Sequence, residues 1–172
     1  MYRPLFLILT LFVLVNGAAA LEVYQKPADF ISAAFAGDPP QPRKLWITGE
    51  LRDRAAAILG HPPPALRLSY WRRDARTAWI LDEIGKERPI TAGFVIDNGR
   101  VDSVRVLIYR ESRGGEIRHP FFTDQFAGIM LDHDTLLSRK IDGISGATLS
   151  VNAIEKLTRL ALLFHQQVTV GE

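Results

Sequence analysis

Apolar and polar positions change period along this chain, and the changes mark out its elements. Over 26–35, Phe30, Ile31, Ala34 and Phe35 share one face of a predicted helix. Pro27 suits its first turn, Asp29 suits the positive end of its dipole, and Gly37-Asp38-Pro39-Pro40 ends it. Leu45-Trp46-Ile47 reads as a short strand. Thr48 is placed to cap a second helix over 51–59, which Gly60-His61-Pro62-Pro63-Pro64 stops. The period then becomes two. Leu66-Arg67-Leu68-Ser69-Tyr70-Trp71 alternates as a half-buried strand does, and 72–76 turns it into a partner over 77–84. A strand over 90–96 meets its return over 101–109 at Asp97-Asn98-Gly99-Arg100, which holds the favoured hairpin pair. Four strands joined by short turns predict an antiparallel sheet.

Beyond the sheet, 111–119 reads as a loop, 120–126 as the start of a short helix, and 131–139 as a linker or edge strand. From 149 to about 167, Val151, Ile154, Leu157, Ala161 and Phe164 recur at helical spacing, so this helix should pack on the sheet. The expected fold is α+β, an antiparallel sheet with helices packed on it and a small helical N-terminal part. Its divisions are 1–20, 21–64 and 65–172.

The first 20 residues stand apart. Arg3 gives one positive charge, an apolar stretch over 5–15 follows with only Thr10 interrupting, and Asn16-Gly17-Ala18-Ala19-Ala20 has the small residues of a cleavage site. Together these predict a secretory signal peptide, and with it a periplasmic or otherwise extracytoplasmic location. An uncleaved anchor is the competing reading, but the apolar stretch is short for a span of about 20 residues.

With 47% hydrophobic residues, a chain of 172 residues can bury a core of ordinary size. Its 21 basic residues nearly balance 19 acidic ones, which gives no electrostatic reason to expect nucleic acid as a partner. It has no cysteine. Disulfides, thiolate metal sites and cysteine nucleophiles are thereby excluded, and any redox chemistry has to come from a bound cofactor.

The segment with the most chemistry is Asp142-Gly143-Ile144-Ser145-Gly146-Ala147-Thr148-Leu149-Ser150. Its small residues make a tight turn that opens a long helix. Free backbone N–H groups and the helix dipole favour a phosphate there, and hydroxyls at 145, 148 and 150 can bond phosphate oxygens. No lysine follows the glycine as in a Walker loop, and the spacing is wrong for a dinucleotide fingerprint. Taken alone, these residues fit an ordinary capped helix start better than an anion site, and they name no anion.

The whole segment resembles the flavinylation motif of the FMN-binding domain family, Asp-x-x-(Ser/Thr)-Gly-Ala-Thr-x-(Ser/Thr). That family includes subunits of the sodium-translocating NADH:quinone oxidoreductase and of Rnf complexes. The resemblance runs from about residue 90 to the C-terminus. It includes the strands around Asp97-Asn98-Gly99 and the Phe-x-x-Gln-Phe-x-Gly stretch over 122–128. It implies FMN held covalently by a phosphoester on Thr148, installed from FAD by a separate flavin transferase with a divalent metal ion. Ser145, Gly146, Ala147, Leu149 and Ser150 then surround the attachment point, Asp142 is a candidate for orienting the turn or helping the transferase bind metal, and Glu111 and Ser112 are candidates for lining the flavin edge. Many members carry Glu-Thr-Pro-Gly where this chain has Glu111-Ser112-Arg113-Gly114.

The function so implied is an exported electron carrier between a membrane redox partner, as donor, and an extracytoplasmic acceptor. A reductase acting directly on a small substrate is the alternative, as is a flavin-binding sensory module. The sequence has no nicotinamide-binding fingerprint, which disfavours the reductase. Arg110 and Arg113 are candidates for offsetting phosphate charge. Phe121, Phe122 and Phe126 could flank a ring or fill a core. Trp46, Trp71 and Trp79 could stack on a flavin, though Trp71 and Trp79 suit sheet packing. His133, between two aspartates, lacks a matching ligand cluster, and His61, His119 and His165 show no partner pattern.

Overall fold

The computed structural model describes residues 21–132 and 135–169, so the expected signal peptide and His133 lie outside the described residues. Six strands form one antiparallel sheet: β1 (Glu22–Val23), β2 (Arg43–Trp46), β3 (Arg67–Arg73), β4 (Arg76–Ile84), β5 (Pro89–Asp97) and β6 (Arg100–Tyr109). Their spatial order is β1-β6-β5-β4-β3-β2. The helices are α1 (Pro27–Ala34), α2 (Gly49–Leu59), the short α3 (Pro120–Thr123) and α4 (Thr148–Thr169). This is the α+β architecture that the alternation and helical spacing predict.

The run from β2 to β6 is a simple meander. Asn98-Gly99 makes the two-residue turn between β5 and β6, as expected of that pair. The turn between β3 and β4 is tighter than the sequence suggests. Arg73 still pairs with Arg76, and Asp74 and Ala75 alone make the connection. The region 21–64 holds α1 and α2 and also supplies both edge strands of the sheet. β1 has only two residues, too few to show any period. Thr48 occupies the cap position of α2, but its side chain makes no capping hydrogen bond. Among the described residues, no helix is long and apolar enough to cross a membrane.

Every residue of β5 from Ile90 to Ile96 is buried, because both faces of the sheet are covered at its centre. On one face α4 sets Val151, Ile154, Leu157, Ala161 and Phe164 into a core shared with Trp79, Phe94 and Val104. On the other, Phe30 and Ile31 of α1 and Phe35 just after it pack with Ala78, Val95 and Leu107. The contact is close at Gly93, where a Cβ would come within 2.6 Å of the Phe30 ring. Burial thus decides the readings of Trp79, Phe122 and Phe126, which are fully enclosed core residues.

The C-terminal end of α4 is tied to the sheet by a buried polar chain. Trp79 Nε1 donates to Thr77 Oγ1 at 2.9 Å, and Thr77 Oγ1 lies 2.8 Å from His165 Nδ1. The Gly99 amide donates to His165 Nε2 at 3.1 Å, which requires a lone pair on that nitrogen. Burial, reinforced by the nearby Arg72 charge, depresses the His165 pKa from 6.5 to about 4. The unfolded chain therefore binds a proton below pH 6.5 that the folded chain refuses until about pH 4. Stability is complete above pH 6.5 and declines as the pH falls from 6.5 to 4, by roughly 2 to 3 kcal/mol. Urea unfolding at pH 7 and pH 4.5 should show this decline in the natural chain. A His165→Gln variant should lose most of the difference.

Candidate flavin site

The motif segment is placed by contacts at both of its ends. Gln125 grips the backbone of Asp142 from two sides. Its Oε1 accepts the Asp142 amide at 2.8 Å, and its Nε2 donates to the Asp142 carbonyl at 3.4 Å. Gln125 belongs to the 122–128 stretch. That stretch is anchored beside β6 by the Gly128 amide donating to the Val101 carbonyl at 2.7 Å, with the Val101 amide donating to Ile129 at 2.8 Å. Four residues on, the chain turns. The Ala147 amide donates to the Ile144 carbonyl at 3.0 Å, and Gly146 takes φ +81°, the left-handed value that a type II turn demands at its third position. A Cβ at Gly146 would meet nothing within 4 Å, so the turn presents bare backbone to open space.

At the helix start, neither serine nor threonine holds the cap position. Ala147 holds the cap position, since its carbonyl accepts the Val151 amide at 2.9 Å. Alanine has no side-chain oxygen, so it cannot cap the helix as serine or threonine would. Thr148 is the first helical residue and is exposed. The first-turn amides of Thr148, Leu149 and Ser150 have no intrahelical acceptors and sit at the positive end of a 22-residue helix.

A cleft of 590 Å³ opens at this point. It is lined by Lys86, Glu87, Glu111, Ser112, Arg113 and the run from Gly146 to Ser150. A second cleft of 490 Å³ adjoins it, sharing Glu111, Ser112, Arg113 and Gly146 and adding Ser145. Both volumes lie within the usual range for small-molecule sites. The structure therefore gathers Thr148, Ser145, Gly146, Ala147, Leu149, Ser150, Glu111 and Ser112 around one pair of clefts. Asp142 lines neither of them and touches the site through the turn it leads into.

The chemistry of each residue is distinct. Glu111 is partly an organiser: its Oε1 accepts the amides of Lys86, Glu87 and Arg88 at 2.6, 2.7 and 3.0 Å, closing the turn between β4 and β5. Desolvation alone would raise its pKa, but these three N–H donors and the Lys86 charge outweigh it and hold the carboxyl below its usual value. Glu111→Ala would strand three turn amides. It should cost roughly 1 to 3 kcal/mol in urea unfolding, while Glu111→Gln, which keeps an acceptor, should cost less. Ser150 is buried and its Oγ lies 3.0 Å from the Tyr109 hydroxyl, which in turn donates to the Arg113 carbonyl. Tyr109 thus clamps the 111–114 loop onto the first turn of α4.

Two arginines divide as geometry dictates. Arg110 is committed elsewhere, donating to the Pro89 carbonyl and Thr91 Oγ1, both at 2.9 Å. Arg113 lines both clefts, and its guanidinium makes no hydrogen bond or ion pair among the described residues. Phe121 is exposed, 6.0 Å from the stacked His119 ring that edges the second cleft. Trp46, Trp71 and Trp79 line neither cleft. Tyr109 and Lys86 have no local motif that singles them out. Only their long-range contacts reveal them.

The donor set suits FMN. Free first-turn amides, the Arg113 guanidinium and the exposed Thr148 and Ser145 hydroxyls match a phosphate, and bare backbone at Gly146 leaves room for it. Among the described residues, no cluster of histidine and acidic side chains could hold a metal ion. No curated protein matches the chain. Residues 85–163 match the model of the FMN-binding domain, a span running from the turn before β5 into the last third of α4. Those residues form an FMN-binding domain, which supports a flavin-binding protein.

Proposed function

We propose that this protein carries FMN covalently on Thr148 and acts outside the cytoplasm as an electron carrier between a membrane redox partner and an extracytoplasmic acceptor. The observation that carries this reading is the position of Thr148. Its side chain is exposed, opens a long helix and lines the cleft where the anion-binding groups converge.

Attachment is a phosphoryl transfer onto a hydroxyl. A P–O bond forms between Thr148 Oγ1 and the FMN phosphorus of FAD. The pyrophosphate bond of FAD breaks, AMP leaves, and the hydroxyl proton goes to solvent. A flavin transferase with a divalent cation supplies the catalysis, and this chain supplies an accessible acceptor. Arg113 and the first-turn amides then hold the phosphate, while Tyr109 and Ser150 keep the loop against the helix. When bound, the flavin supplies the one- and two-electron chemistry, and the protein supplies its position and electrostatics. A covalent tether suits a carrier outside the cytoplasm, where a lost cofactor is not replaced. The N-terminal 20 residues support export by their charge, apolar stretch and small-residue end.

Intact-mass spectrometry of protein made with and without a flavin transferase tests the attachment. The expected gain is the mass of FMN less one water, only when the transferase is present. An unchanged mass with an active transferase would overturn the proposal.

A further inference from the structure

The wall of the second cleft includes Glu22 and Tyr24, which lie outside the family match. β1 hydrogen-bonds along β6, with Glu22 opposite Tyr109, and the next residue, Tyr24, is fixed by its amide donating to the Leu107 carbonyl at 2.9 Å. The Arg118 guanidinium lies over the half-buried Tyr24 ring, 4.8 Å from its centre, and donates to the Tyr24 hydroxyl at 3.0 Å. That hydroxyl donates to Glu22 Oε2 at 2.5 Å. The absence of a side chain at Gly115 leaves room for this assembly, since a Cβ there would stand 3.2 Å from both Arg118 Nη1 and the Tyr24 hydroxyl. The result is an ordered wall in which a guanidinium is stacked on an aromatic ring and paired with Glu22 Oε2 at 3.8 Å, around a cleft open to solvent.

The two clefts divide their chemistry. The first holds the acceptor hydroxyl and the helix amides, which suit a phosphate. The second holds a phenol ring and a guanidinium plane, which suit the face of a conjugated ring system. They meet along Glu111, Ser112, Arg113 and Gly146, and Gly146 adds no side chain to the passage between them.

Resting on the reading of Thr148 as the attachment point, we infer that Tyr24 and Arg118 form the platform for the isoalloxazine ring, with the ribityl chain crossing at Gly146. The N-terminal strand then has a role in tuning the cofactor, because it delivers Tyr24 to the site. Arg118 places positive charge beside the ring and favours its more negative, reduced form. Tyr24 is an electron donor within contact distance of the ring and quenches its emission.

The test begins with wild-type protein whose FMN adduct has been verified by mass, so a missing adduct counts against attachment alone. Flavin fluorescence is then compared in the native and the unfolded protein. Emission should be strongly quenched in the native state and released on unfolding, and Tyr24→Leu should release it without unfolding. Arg118→Gln should lower the two-electron midpoint potential, by about 30 mV for each tenfold loss of preference for the reduced form. Arg118→Lys, which keeps the charge, should restore most of that shift. An adducted wild-type protein with native emission as bright as the unfolded form would overturn the inference, whatever the variants do. So would a midpoint potential unmoved by Arg118→Gln.

Discussion

Thr148→Ala should abolish covalent flavin while leaving the apoprotein as stable as the natural chain. Two independent features make both halves of this result expected. Thr148 is exposed at the first position of α4, and the cap position before it belongs to Ala147. Removing its hydroxyl therefore breaks no structural hydrogen bond, and alanine is a strong helix former. The stability change should stay within about 0.5 kcal/mol, the usual range for a surface substitution of this kind. Attachment, in contrast, needs a nucleophilic oxygen at that one position. Ser145 faces the other cleft and Ser150 is buried against Tyr109, so neither hydroxyl can replace it. Thr148→Ser, which keeps the oxygen, should retain the adduct. Mass spectrometry and urea unfolding of the same preparations read the two halves separately.

Gly114→Ala should be the most damaging single methyl group near the site. Gly114 has φ +88°, the left-handed region where a Cβ is strained, and its surroundings leave no space. A Cβ there would stand 2.9 Å from Ser150 Oγ, 2.9 Å from the Tyr109 hydroxyl and 3.3 Å from the Ala147 Cβ. These are the atoms that clamp the loop to the helix start. Backbone strain and forced displacement together should cost roughly 2 to 4 kcal/mol. Flavin attachment should fall with stability, because Ser112 and Arg113 shift with the loop. Adding Ser150→Gly removes one of the two closest contacts and should recover part of the loss in thermal unfolding. Full stability in Gly114→Ala would contradict the close approach of loop and helix.

The sheet was legible because its signals are local. Alternation marks β3, short turns mark off the strands after it, and Asn98-Gly99 marks a turn whose geometry needs that pair. Helix α4 was legible from its apolar spacing. β1 was not, since two residues carry no period, and its pairing with β6 depends on partners about 85 positions away. The anion-friendly turn at 145–148 could be read from small residues and hydroxyls. Which residue caps the helix could not, because serine, threonine and alanine are all compatible with that turn until the Ala147–Val151 hydrogen bond is seen. Glu111 illustrates the same limit. It lines both clefts, and the resemblance alone assigns it to a flavin edge. Its three bonds to the 86–88 turn arise from a contact between the ends of different strands. Tyr24, Tyr109 and His165 lie beyond local reading for that reason, each owing its role to partners distant in the chain.

Peptide mapping tests the central claim most directly. The protein is made with a flavin transferase, digested, and the yellow fluorescent peptide is fragmented. One modified peptide containing 142–150 is expected, with the mass of FMN less one water on Thr148 and nowhere else. Flavin on Ser145 or Ser150, or flavin that separates from the chain on denaturation despite an active transferase, would contradict it.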